Sequence, residues 1–348
     1  MHVSTRTRTA AFAAAALTAL AAAGSASAAT VEVDGGATTL ELAPRTARAL
    51  DELGVAVSPL SPAKSGRSGV SFPVSGGSVD PATGAGTIEH RGGLRLRAGS
   101  TRVDLRNFTV NAGSTNTIGV RVGRSNLHAF RISLSDAKVT RSGFQTIVSG
   151  VKVSLSRRGA AALNEAFGVR AFAGGLRIGT ARVRVRPAEL AFTGGNTALA
   201  LDPGTAAALA GLNVSVAPAA PATANADGSV AFPITEGRVN AETLAGSVSH
   251  GGGLTLSSGS TSVTVSDFVI ETAPSPRLTA ALGSSRVDLL TLDLAGLQRS
   301  VDGREVTLGG VVARLTQGAA DALNTAFGTT AFQGGLIIGT ATVTAEGA

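Results

Sequence analysis

The sequence predicts a mainly β protein: two tandem antiparallel β-sandwich domains, each carrying two short α-helices. Three observations predict this. Most segments alternate apolar and polar residues with period two, and Gly-rich turns punctuate them about every 8–12 residues. A set of motifs also recurs at one constant spacing.

The recurrence sets the domain organisation. Phe72-Pro73-Val74 returns as Phe232-Pro233-Ile234, and His90-Arg91-Gly92-Gly93-Leu94 as His250-Gly251-Gly252-Gly253-Leu254. Leu163-Asn164-Glu165-Ala166-Phe167-Gly168 returns as Leu323-Asn324-Thr325-Ala326-Phe327-Gly328, again 160 residues on. Upstream, Leu40-Glu41-Leu42-Ala43-Pro44 matches Leu199-Ala200-Leu201-Asp202-Pro203 at an offset of 159, so one residue has been gained or lost before Phe72 or Phe232. Units this long indicate a duplicated domain, because solenoid repeats run about 20–50 residues. The copies fall at 29–187 and 188–348, joined by the short Val185-Arg186-Pro187-Ala188. With so little linker the domains are expected to touch or to hold a limited range of angles.

Within each copy the elements have local causes. Leu94 and Leu96 alternate with Arg95 and Arg97, the signature of a strand with one buried face. Asp80-Pro81-Ala82-Thr83-Gly84 is a turn in which Pro presets φ and Gly supplies a positive φ. One strand changes phase: Val103 and Leu105 share a parity, whereas Phe108 and Val110 take the other, as Val263, Val265, Phe268 and Ile270 do in the second copy. A β-bulge at Arg106-Asn107 and at Ser266-Asp267 would let both apolar pairs face one core. Helices are predicted from Pro44 to Leu53 and Pro203 to Leu212, with Pro at the start. Two more run from Arg157 to Phe167 and Gln317 to Phe327, each stopped by a Gly. At about ten residues, such helices must dock on the sheets to persist.

Residues 1–28 read as an export signal. Arg6 and Arg8 precede an apolar run from Ala10 to Ala23, and Ala26-Ser27-Ala28 forms a cleavage site. The run is short of the roughly 20 residues a span requires, so no stable membrane span is expected. A secreted, extracellular protein, in part wall-associated, is the expectation. The chain has no Cys, so its folds rest on hydrophobic cores rather than disulfides.

Charge divides between the copies. Residues 29–187 hold 22 Lys and Arg against 10 Asp and Glu, a net +12, whereas residues 188–348 hold 6 against 13, a net −7. Drift of solvated faces is one explanation, and contact of the basic first domain with anionic cell-wall polymers is another. Nucleic acid is not an expected partner, because the chain has no Tyr or Trp for base stacking and no binding motif.

No catalytic motif is found: H-E-x-x-H, G-x-S-x-G, a Walker loop and an EF-hand loop are all absent from the sequence. A non-enzyme is therefore expected. The polar pair kept at one repeat position is His90 and His250, two residues after Ile88 and Val248 and before a Gly-rich turn. That turn lets a ligand or another stretch of backbone come close. Either a hydrogen-bonded His closes a hairpin, or His90 and His250 are ligand-binding residues.

The order Phe72-Pro73-Val74, Gly76-Gly77, Asp80-Pro81-Ala82-Thr83-Gly84-Ala85-Gly86 and His90-x-Gly92-Gly93-Leu94 resembles an HtaA domain. So does the helix start Leu315-Thr316-Gln317-Gly318-Ala319-Ala320. The resemblance covers both copies nearly end to end. It implies an exported, often wall-associated protein of Gram-positive bacteria, a β-sandwich with two short helices, and haem capture. The family's His before the Gly-rich turn falls on His90 and His250. In haem-binding members it supports an iron-ligating tyrosinate on the first helix. Here that helix offers Ala47, Arg48, Ala49 and Leu50, or Ala206 to Leu209, and the chain has no Tyr. Should haem be the cofactor, His90 and His250 are the metal ligands this resemblance leaves, imidazole being an accepted iron ligand. Two functions stay open: a binding module for haem or another small apolar ligand, and a cell-envelope structural or adhesion module that has lost haem.

Overall fold

A computed structural model describes residues 30–348. The export signal expected over residues 1–28 lies outside them. The first unit runs β1 (Val31–Leu42), α1 (Pro44–Glu52), β2 (Ala56–Leu60), β3 (Lys64–Gly66), β4 (Gly69–Val79), β5 (Gly86–His90) and β6 (Gly93–Ala98). It continues with β7 (Thr101–Ala112), β8 (Thr117–Val122), β9 (Ser125–Ser133), β10 (Lys138–Ser142), β11 (Gln145–Leu155), α2 (Arg157–Phe167) and β12 (Arg177–Pro187). The second unit has the same order: β13 (Glu189–Leu201), α3 (Pro203–Gly211), β14 (Ser215–Ala219), β15 (Thr223–Ala224), β16 (Val230–Asn240), β17 (Gly246–His250) and β18 (Gly253–Ser258). Then follow β19 (Thr261–Glu271), β20 (Arg277–Leu282), β21 (Ser285–Asp293), β22 (Gln298–Asp302), β23 (Glu305–Leu315), α4 (Gln317–Phe327) and β24 (Ile337–Gly347).

The protein is mainly β, but neither unit is the expected sandwich. Eight antiparallel strands, β7-β5-β4-β1-β12-β11-β9-β8, form a ring that closes because β8 pairs back onto β7. The second unit closes in the same order through β19 and β20. Strand β7 makes closure possible by being long: Thr101–Arg106 pairs with β6 and Thr109–Ala112 with β5, while its other edge takes β8. Closure removes exposed sheet edges. Period-two alternation holds for a sandwich and a barrel alike, so the sequence pattern does not separate them. Each barrel has its own apolar core, with an edge-to-face pair at its centre: Phe72–Phe108 at 5.0 Å and Phe232–Phe268 at 5.1 Å.

Both bulges lie where the change of phase places them. The register slips between Arg106 and Thr109 and between Ser266 and Val269, and Asn107 and Asp267 each sit at φ 51°. Asn and Asp visit this left-handed region more readily than other side chains. Val103, Leu105, Phe108 and Val110 are consequently all buried.

All four helices are found, α1 and α3 each one residue shorter than expected. Helices α2 and α4 are capped by Ser156 and Thr316 and end at Gly168 (φ 65°) and Gly328 (φ 62°). Helix α3 gains a cap from Asp202, which accepts from the Thr205 amide at 3.0 Å, whereas α1 starts at Ala43 with no side-chain cap. The half-buried Arg95–Asp104 fork of the first barrel, at 2.7 and 2.8 Å, becomes a Thr255–Thr264 hydroxyl pair in the second. Charge has thus diverged on an unchanged strand pairing.

Between the barrels, the Ala188 amide donates to Glu32 and its carbonyl accepts from Ala241. Phe144, at the tip of the β10–β11 hairpin, packs against the second core over Gly347, where a Cβ would come within 2.3 Å of its ring.

Candidate functional site

His90 ends β5, opposite Val74, and His250 ends β17, opposite Ile234. Both point into their barrels and are only 3% and 4% exposed. They lie in different barrels and do not form one site. The turn after each is shaped by backbone: a Cβ on Gly92 would meet the Ala63 amide and Leu60 carbonyl at 2.6 Å, and one on Gly252 the Ala222 amide at 2.4 Å. Both glycines hold positive φ, 86° and 83°. The close approach there is chain against chain.

The bulge supplies the first partner of each imidazole. Residues 107 and 108 fall between the end of the β6–β7 ladder at Arg106 and the start of the β5–β7 ladder at Thr109. The Phe108 carbonyl is therefore free to accept from His90 Nδ1 at 3.1 Å, as Phe268 accepts from His250 Nδ1 at 3.4 Å. A carbonyl can only accept, so Nδ1 carries the proton and Nε2 is the acceptor. Nε2 receives the hydroxyl of Thr38 at 2.6 Å in the first barrel and of Thr197 at 2.7 Å in the second. Burial among apolar side chains pushes both imidazoles down to about 4. Each is thus a neutral, fully hydrogen-bonded ring at neutral pH.

Thr38 and Thr197 were not singled out in the sequence, although they occupy one repeat position, two residues before Leu40 and Leu199. The first helices add a second such pair. Thr46 is buried and donates to the Arg177 carbonyl, and Thr205 donates to the Ile337 carbonyl at 2.5 Å.

Each His also forms part of the wall of an apolar cavity within its barrel. In the first barrel the space is about 60 Å³, bounded by Thr38, Phe72, His90, Phe108, Phe130 and Val153 among others. In the second it is about 170 Å³, reached by Thr197, Phe232, His250, Phe268, Leu290 and Ala313. Ligand pockets for drug-sized molecules run about 300–1,000 Å³. Haem does not fit this arrangement: neither Nε2 has a free lone pair facing the cavity, and neither space approaches that volume. Among the described residues, no three His, Asp or Glu side chains gather as a metal site, and no helix is long and apolar enough to cross a membrane.

Outside the barrel, His128, Arg131, Arg157 and Arg158 line an open cleft of about 780 Å³ where α2 begins. All four are exposed. The second barrel has Asp288, Thr291, Gln317 and Gly318 at these positions.

No family profile and no curated protein matches the chain. Among solved structures, the chain is similar to the C-terminal domain of HtaA from Corynebacterium glutamicum, at 16% identity and a TM-score of 0.37, over 46% of this chain and 99% of that one.

Proposed function

We propose that this chain is an exported, non-catalytic binding protein of the cell envelope whose barrel interior takes a small apolar ligand beside the buried His. The observation that carries the reading is the cavity at His250, whose free wall surface is wholly apolar. The N-terminal sequence and the HtaA-like motifs support the envelope setting. In this reading His90 and His250 are wall residues that fix the strand ends, and haem iron is not their partner. A haem titration of the mature protein followed by visible absorbance tests this. No saturable Soret shift is expected at micromolar haem. A shift that disappears in the His90→Ala plus His250→Ala protein would overturn the reading in favour of haem.

A second reading is favoured by a different observation. The basic cleft at His128, Arg131, Arg157 and Arg158 and the outward row Arg182, Arg184 and Arg186 on β12 belong to the first barrel alone. Alternate residues on one strand face stand about 6.6–6.8 Å apart, a spacing suited to a linear polyanion. Here the chain is an envelope or adhesion module held on anionic wall polymers. Retention on purified cell walls should then drop at least tenfold between about 0.05 and 0.5 M salt, as screening shortens the Debye length. Retention that ignores salt would contradict it.

A further inference from the structure

We propose that the second barrel alone is a site for a compact, uncharged apolar molecule about the size of one six-membered ring, created by Leu290 and Ala313. The inference rests on the reading that the barrel interior is the ligand site, and narrows it to one barrel and one size class.

The two barrels share the His, the Thr on its Nε2 and the edge-to-face Phe pair, yet their cavities are about 60 and 170 Å³. Two aligned wall positions carry smaller side chains in the second barrel. Phe130, whose ring lies 6.4 Å from Phe108, is matched by Leu290, and Val153 by Ala313. Ala313 is 2% exposed and Leu290 6%, so the lost volume faces the core and not solvent. No polar atom opens onto the larger space, and no buried side-chain nitrogen or oxygen lacks a partner among the described residues. Water needs two to four polar partners to occupy a cavity, and apolar spaces of about 150 Å³ stay dry and accept benzene or xenon. The chemistry of the wall thus selects an apolar occupant, and the volume sets its upper size.

Backbone geometry gives an independent sign at the same wall. Leu244 stands at φ 60° on the turn between β16 and β17, where the first barrel has Gly84 at φ 72°. A branched, bulky residue in the left-handed region is an outlier that needs support from its surroundings, and such strain collects at ligand sites. Leu244 is half-buried and its side chain lines the cavity, so it is a wall residue that also reaches solvent.

The test uses the full mature chain with xenon and benzene as probes, read by ¹²⁹Xe chemical shift and by benzene-induced change in melting temperature. Saturable binding of one benzene per chain is expected, weakened at least tenfold in L290F/A313V, which restores the side chains of the first barrel. Binding unchanged in that variant would overturn the inference but leave the barrel-interior reading standing. Absence of saturable binding by the unmodified chain would overturn both. Should L290F/A313V fail to fold, the reciprocal F130L/V153A chain decides: a second xenon site is expected, and no added site overturns the proposal.

Discussion

Lowering the pH from about 6.5 to 4 should remove on the order of 3 kcal/mol of stability per buried imidazole, since a tenfold change in proton affinity is worth about 1.4 kcal/mol. His90 and His250 are each held at about 4, against an ordinary 6.5, by burial. The unfolded chain therefore binds more protons than the folded one between these values, and stability must fall as pH falls through that window. Above pH 6.5 both rings are neutral in either state and contribute no slope. The carboxylates act lower. Asp104 is held at about 2 by its hydrogen bonds from Arg95, so its stabilising contribution is full above its usual 3.8 and lost as pH falls towards 2. Urea midpoints measured from pH 7.5 to 4.5 therefore isolate the two His. H90Q should flatten the pH dependence of the first barrel's transition, and H250Q that of the second, whatever each costs at neutral pH. A slope between pH 6.5 and 4.5 unchanged in both variants would show that the imidazoles are not the buried neutral groups described.

Features with local causes were legible in the sequence. Pro44, Pro203, Gly168 and Gly328 set helix ends within one residue, because capping depends on the residues at the cap itself. The bulge could be read because a phase change between Leu105 and Phe108 recurs between Val265 and Phe268. Barrel closure could not, because β7–β8 pairing adds a neighbour without altering which side chains face inward. His90 and His250 were visible as a repeated pair, but their surroundings were not. What fills Nε2 comes from β1 or β13, 52 or 53 residues away in sequence. The cavity lay beyond any pattern of hydrophobicity, since Phe130 and Leu290 are equally apolar. It was present only as a difference in side-chain size at aligned positions. Packing volume, unlike polarity, is a property of the whole shell.

Filling that volume should be worth more than any cap or surface pair in the second barrel. The cavities differ by about 110 Å³, and residual cavity costs about 24 cal/mol per Å³, so L290F/A313V should stabilise the second barrel by up to about 2.6 kcal/mol. One effect opposes this. The second barrel has Phe192 where the first has Val33, and Leu289 where it has Ala129, so part of the shell has already grown inward. Overpacking costs about 1–3 kcal/mol. The sign of the change therefore reports whether the space is continuous. A rise of several degrees in the second barrel's melting temperature is expected, because Leu290 and Ala313 both border the same void and the opposing enlargements lie at other wall positions. A fall would mean that the void is divided among gaps too small for a phenyl ring. The stabilised variant should also be the one that loses xenon and benzene, since one void accounts for both effects. A chain that retains a cavity which its own first barrel shows how to fill is carrying a stability cost of that size, and such costs are characteristic of sites that must stay open.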